Sequence, residues 1–105
     1  MPGYASLFAT LLLAAPILAQ EFRASVSGQV TDSTGATVPG AEVAATNVER
    51  NTTSNTVSNS AGRYVIEFLP PGHYTLTAAK PGFKKVTHPH VEFGRHASLP
   101  IGLAG

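Results

Sequence analysis

The residues able to do chemistry in this 105-residue chain are few, and most lie in its last third. His88-Pro89-His90, with Glu92 and His96 beyond, supplies imidazoles and a carboxylate of the kinds that hold zinc. A zinc site takes three or four ligands on rigid elements, each ring fixed by a partner behind it. These histidines instead lie in a basic stretch broken by proline, so the segment reads as an exposed loop and no metal is expected. His73 falls on the outward side of an alternating run and reads as solvated. Lys80, Lys84, Lys85 and Arg95 make the region locally basic, as an acidic partner would require. With a formal net charge of +1, a solvated surface is the simpler reading, and nothing points to nucleic acid. Ser, His and Asp all occur, yet no motif sets a serine beside a base. No paired carboxylates share a face, and no glycine-rich cradle opens a helix. No catalytic residue and no cofactor is expected, and the absence of cysteine excludes thiol chemistry.

What must position any site is legible around Ala61–Phe83, AGRYVIEFLPPGHYTLTAAKPGF. In Arg63–Phe68, Tyr64, Ile66 and Phe68 alternate with Arg63, Val65 and Glu67; in His73–Ala79, Tyr74, Leu76 and Ala78 alternate with His73, Thr75 and Thr77. A period of two in aromatic and β-branched residues predicts half-buried strands, since a helical repeat would scatter these positions around a cylinder. Pro70, Pro71 and Gly72 join the runs: the prolines fix φ and donate nothing to a ladder, and the glycine can take positive φ. The expected arrangement is a hairpin, with Leu69 and Phe83 as apolar plugs at its ends. Turns at Asn59–Gly62 and Pro81-Gly82 flank it.

Upstream, Ala24–Val30 predicts a first strand with Val26, Gly28 and Val30 on one side. Asp32–Gly35 is a turn in which Asp32 can accept from the backbone two residues on, and Pro39-Gly40 suits a second turn. Ala41–Val48 predicts a strand with Ala41, Val43 and Ala45 inward; polar Glu49–Asn55 grades into an edge strand, Ser54–Ser58. Lys84–His90 reads as a strand fraying into a loop, and Val91–Phe93 as a short extended piece. Ala97–Leu103 alternates Leu99, Ile101 and Leu103, with Pro100 placing it at an edge or bulge. The expected core is thus Val26, Val30, Val43, Tyr64, Ile66, Leu69, Tyr74, Leu76, Phe83, Leu99 and Ile101. The expected turn positions are Gly35, Pro39, Gly40, Gly62, Pro71, Gly72 and Gly82. About seven short strands at 8–12-residue spacing, with no helical period after position 20, predict an all-β, antiparallel sandwich; a small barrel is the alternative.

All thirteen Asp, Glu, Lys and Arg residues lie after position 20. Leu7–Ala19 is an uncharged apolar run, too short to span a bilayer, that reads as the apolar part of a secretory signal peptide cleaved after Ala19. No Lys or Arg precedes it, so the expectation is an atypical signal or a start lying further upstream. The expected organisation is signal peptide 1–19, linker 20–24 and one sandwich domain 25–104, with no membrane span in the mature chain. A domain of about 85 residues is marginal alone, and no disulfide can reinforce it.

SGQVTDSTGATVPGAEVAATN followed by NSAGRYVIEFLPPGHYTLTAAKPGF resembles the carboxypeptidase regulatory-like domain over roughly Ser25–Leu103. The most specific parts are Gly28…Asp32…Gly35…Pro39-Gly40-Ala41, Gly62-Arg63-Tyr64, Leu69-Pro70-Pro71-Gly72-x-Tyr74 and Pro81-Gly82-Phe83. The resemblance implies an immunoglobulin-like or prealbumin-like sandwich with no peptidase chemistry of its own. Behind a signal peptide, it also implies the periplasmic start of a TonB-dependent outer-membrane receptor of the Oar-like kind. The chain then reads as a piece of such a receptor or as a free-standing exported sandwich. Its partners would be other envelope proteins or the plug and barrel of a parent receptor. Asn51-Thr52-Thr53 is an N-glycosylation acceptor by pattern, silent in the bacterial setting the resemblance implies. Carbohydrate binding is the alternative, from the fold group alone. Sugar sites stack rings on exposed aromatics, whereas this chain lacks Trp and its Tyr64, Phe68, Tyr74 and Phe83 read as buried, leaving Phe22 and Phe93 for the surface.

Overall fold

The computed structural model describes residues 23–105; the expected signal peptide, and Phe22 with it, lie outside the described residues. The described residues form eight strands: β1 (Ala24–Thr31), β2 (Glu42–Asn47), β3 (Thr53–Val57), β4 (Arg63–Leu69), β5 (Gly72–Ala79), β6 (Val86–Phe93), β7 (Ala97–Ser98) and β8 (Ile101–Gly102). They make two four-stranded sheets, one ordered β4-β1-β7 with β8 also on β1, the other β3-β2-β5-β6. The fold is an all-β sandwich.

Alternation decides which side of each strand is covered. On β2, Val43 and Ala45 are fully buried, with Ala41 just before them; on β5, Tyr74, Leu76 and Ala78 are. Val26 and Val30 of β1, Tyr64, Ile66 and Leu69 of β4, and Ile101 and Leu103 at the end meet them from the other sheet. Phe83 and Leu99 are only partly buried, packed against the rim of this core from the connections in which they lie. Gly35, Gly40, Gly62, Gly72 and Gly82 all take positive φ, and Pro39, Pro71 and Pro81 stand exposed in the turns.

Several expectations are corrected. The two central runs do not pair as a hairpin: β4 lies against β1, while β5 lies between β2 and β6. Pro70-Pro71 is therefore a crossing between sheets, tied down by the Tyr74 hydroxyl, which donates to the Pro70 carbonyl at 2.5 Å. The sandwich is not wholly antiparallel, because β7 and β8 run parallel to β1. The cause is where the chain enters the first sheet. Gly94 and Arg95 are pinned at the start of β1, their carbonyls accepting from the Ser25 amide (3.2 Å) and hydroxyl (2.6 Å). From that anchor the chain must run beside β1 in the same direction. The stretch expected to fray is one continuous strand, β6, with Pro89 accommodated in a bulge at its open edge.

Phe68 is not in the core. Between the pairs Val26–Ile66 and Ala24–Leu69, β4 has one residue more than β1, so Glu67 and Phe68 together oppose Ser25. Phe68 takes φ 62 there and is 78% exposed, and Leu69 turns inward in its place. The same device recurs on β6, where Pro89 and His90 oppose Thr75 and His90 takes φ 58. Beyond that bulge the inward phase resumes, so Phe93 is buried at 3% and stacks on Tyr74, ring centres 5.0 Å apart. That corrects the surface position expected for Phe93.

Candidate functional site

The outer face of the first sheet carries a groove of about 650 Å³. Its floor is set by register: Ser27 faces Val65 on one side and Ser98 on the other, and one step along Gln29 faces Arg63. These residues alternate with the buried Val26, Val30, Tyr64 and Ile66, so they must point outward. Thr56 and Val57 of β3 form one rim and Pro100 the other. Gln29 is held by its Nε2, which donates to the Ala61 carbonyl at 3.0 Å. The groove thus offers hydroxyls, an amide and an apolar strip of Val57 and Val65, with Arg63 its charged group among the described lining residues. Among the described residues, the one ring in the lining is that of Tyr64, which is buried with its hydroxyl on the Leu99 carbonyl at 2.6 Å, and exposed Phe68 lies outside the lining. A smaller hollow on the other sheet brings Glu42 near Lys80 and Lys85.

The histidines are not brought together. His88 lies at an inward position of β6, where its Nε2 is buried without a hydrogen-bond partner. His90 and His96 are exposed, and His73 points outward from β5. Among the described residues no group of three or more His, Asp or Glu is arranged to hold a metal. No helix of the described residues is long and apolar enough to cross a membrane.

The strand edges differ in how they are closed. On β4 the backbone of Arg63 is occupied by the preceding turn, its N–H on Asn59 Oδ1 (3.0 Å) and its carbonyl on the Asn59 N–H (2.8 Å), and Phe68 bulges beyond. β6 carries Pro89 and its bulge, while β7 and β8 are two short pieces parted at Leu99-Pro100. β3, TSNTV, has no charge, no proline and an unbroken five-pair register with β2. Ser54–Ser58 is legible as an edge strand in the sequence. That it alone among the described edges is unguarded is not, because the bulges arise only once strands are paired.

A family model described as a carboxypeptidase regulatory-like domain matches residues 25–103. No curated protein matches. Among solved structures, the chain is similar to a chlorocatechol 1,2-dioxygenase from Pseudomonas putida, with TM-score 0.61 and 14% identity over 77% of this chain and 59% of that one. It is also similar to the Bacillus anthracis TIE protein, with TM-score 0.63 and 19% identity over 81% of this chain and 17% of that one. A type II cohesin–X–dockerin complex from Acetivibrio cellulolyticus gives TM-score 0.64 and 22% identity, over 76% of this chain and 56% of that one. The chain spans between about half and three-fifths of the dioxygenase chains it matches. At these identities the likeness is one of fold alone.

Proposed function

We propose, from the premise that the chain belongs to the carboxypeptidase regulatory-like domain family, that it is a non-catalytic exported module working by protein contact. Its place in this reading is the periplasmic N-terminal extension of a TonB-dependent outer-membrane receptor. The apolar run Leu7–Ala19 directly ahead of the domain supports export. The observation that carries contact as the mode of action is the unguarded edge of β3, whose neutral, β-branched residues suit strand addition. The DNA on either side of the coding region tests the receptor placement. A reading frame continuing into a plug and alternating barrel strands is expected; an authentic stop after Gly105 overturns it in favour of a free-standing protein.

The groove favours a second reading, a carbohydrate-binding module of the cell envelope. Ser27, Gln29, Thr56 and Ser98 present the hydroxyls and amide that a sugar's own hydroxyls pair with, beside an apolar strip. A glycan array separates the two: retention of oligosaccharides that Arg63→Ala and Gln29→Ala abolish supports the sugar module, and a blank array removes it.

A further inference from the structure

We infer that β3 pairs with β3 of a second copy of this chain, antiparallel about Asn55, so that two sandwiches share one continuous sheet. This rests on the contact reading above and names the contact.

The ladder fixes which backbone groups are free. At its two ends the Ser58 amide donates to the Ala41 carbonyl (2.9 Å) and the Asn47 amide to the Thr52 carbonyl (2.8 Å). In an antiparallel pair, hydrogen-bonded and non-bonded residues alternate. Val43–Thr56 and Ala45–Ser54 are therefore bonded pairs, while Glu42–Val57, Ala44–Asn55 and Thr46–Thr53 are not. The N–H and C=O groups of Thr53, Asn55 and Val57 consequently point away from β2. Among the described residues, no backbone hydrogen bond outside the ladders uses them.

Natural edges are blunted by charge, proline, bulge or brevity. β4, β6 and the β7–β8 pair each carry at least one of these devices, and β3 carries none. The outward edge of β3, which β4 approaches at the Thr56–Val57 end, is a site open to another strand. What fits it is set by the strand's own sequence. A two-fold axis at Asn55 sets Thr53 of one copy against Val57 of the other, and Asn55 against itself. All of these residues have outward-pointing backbone, so every such pair can exchange both bonds. Between them, Ser54 meets Thr56 of the second copy, a hydroxyl pairing of the kind that stabilises sheets. No charge lies on the strand, so the two-fold brings no like charges together. A contact that complements itself about a two-fold is what a dimer interface requires.

One strand edge is a small interface, so the dimer is weak and dissociates on dilution. Sedimentation of the 105-residue protein from low concentration up to about 1 mM tests it, with exchange of the Thr53, Asn55 and Val57 amides measured alongside. Dimer formation is expected, with protection of those three amides growing with concentration while that of the Val65 amide on the β4 edge does not. Asn55→Lys, which sets two ammonium groups face to face, is expected to stay monomeric with an unchanged β spectrum and melt. Asn55→Pro, which removes the central outward N–H, is the second test of the same contact. A wild-type monomer at the highest concentration overturns self-pairing, as does a dimer that survives both substitutions. If that monomer's β3 amides become protected when the parent receptor is added, self-pairing falls while the contact module stands. If they stay unprotected there too, both fall.

Discussion

Gly28, Tyr64 and Leu99 lock the final segment onto β1. A Cβ on Gly28 would lie 2.2 Å from the Leu99 carbonyl oxygen and 3.0 Å from the Tyr64 ring, so the close approach of β1 to the final segment needs glycine there. Gly28→Ala is expected to cost about 1–3 kcal/mol in a urea melt, because backbone rather than a flexible side-chain tip must move. Tyr64→Phe leaves the Leu99 carbonyl without its 2.6 Å donor and is expected to cost about 1–2 kcal/mol. The same residue gives a pH dependence of definite sign. Burial pushes the Tyr64 hydroxyl from 10.0 up to about 12, so the unfolded chain ionises first. The stability contributed by the neutral hydroxyl is whole below pH 10 and is lost as pH rises toward 12. Urea midpoints across that window are expected to fall more steeply for the native protein than for Tyr64→Phe, the difference between the two isolating this group. His88 is the opposite case, a buried ring nitrogen with nothing to bond to. His88→Leu is expected to raise stability by about 1 kcal/mol, since it removes an unmet polar atom from an inward position of β6.

At the scale of the element, the inward faces of β1, β2 and β5 could be read from the sequence, whereas the neighbours of β4 and β5 could not. Tyr64 and Tyr74 alternate in phase with aliphatic residues, and alternation is a local property of the backbone, so both could be placed inside. The Asp32 turn was legible for the same reason: its carboxylate accepts from the Thr34 amide (2.9 Å) and hydroxyl (2.7 Å), contacts two residues away. Those bonds, the Thr34 hydroxyl first, hold the carboxyl below its usual range. Whether Pro70-Pro71 turns a chain back within one sheet or carries it to the other depends on residues dozens of positions away, and no local period encodes that. Bulges defeat local reading in another way, because one inserted residue inverts every face beyond it. Hence Phe68 emerged outward and Phe93 inward. Phe68 holds φ 62 against the ordinary preference of a bulky residue. Phe68→Val is expected to cost about 1–2 kcal/mol even though the side chain it replaces is exposed, because branching at Cβ worsens that conformation. Phe68→Asn, which tolerates it, is expected to cost nothing. Thermal melts of the pair decide, and equal loss in both would move the cause from the backbone to the ring.

For the molecule as a whole, the question is what closes a sandwich of this size without a disulfide. The candidate groove was not legible beforehand, since its floor joins β1, β4 and β7, strands that meet only in three dimensions. The closing segment is the same one that completes this groove. It contributes Ile101 and Leu103, both almost wholly buried, and its backbone is fixed at each step. The Leu99 amide donates to the Ser27 carbonyl at 2.9 Å, the Leu103 amide to Thr31 at 2.8 Å, and the Lys84 amide to Ala104 at 2.7 Å. The last of these joins the segment to the β5–β6 connection, so it spans both sheets. Each large apolar side chain contributes about 1.5–3 kcal/mol. Losing these side chains together with the Tyr64 bond and the three backbone bonds matters in a domain whose net stability is only roughly 5–15 kcal/mol. A chain ending at Ser98 keeps every strand of the second sheet and three of the first, yet is expected to show no cooperative thermal transition. A cooperative melt from the shortened chain, within about 1 kcal/mol of the full one, would mean that β4 and β1 hold the second sheet unaided. The lock formed by Gly28, Tyr64 and Leu99 would then be an accessory to the fold rather than its closure.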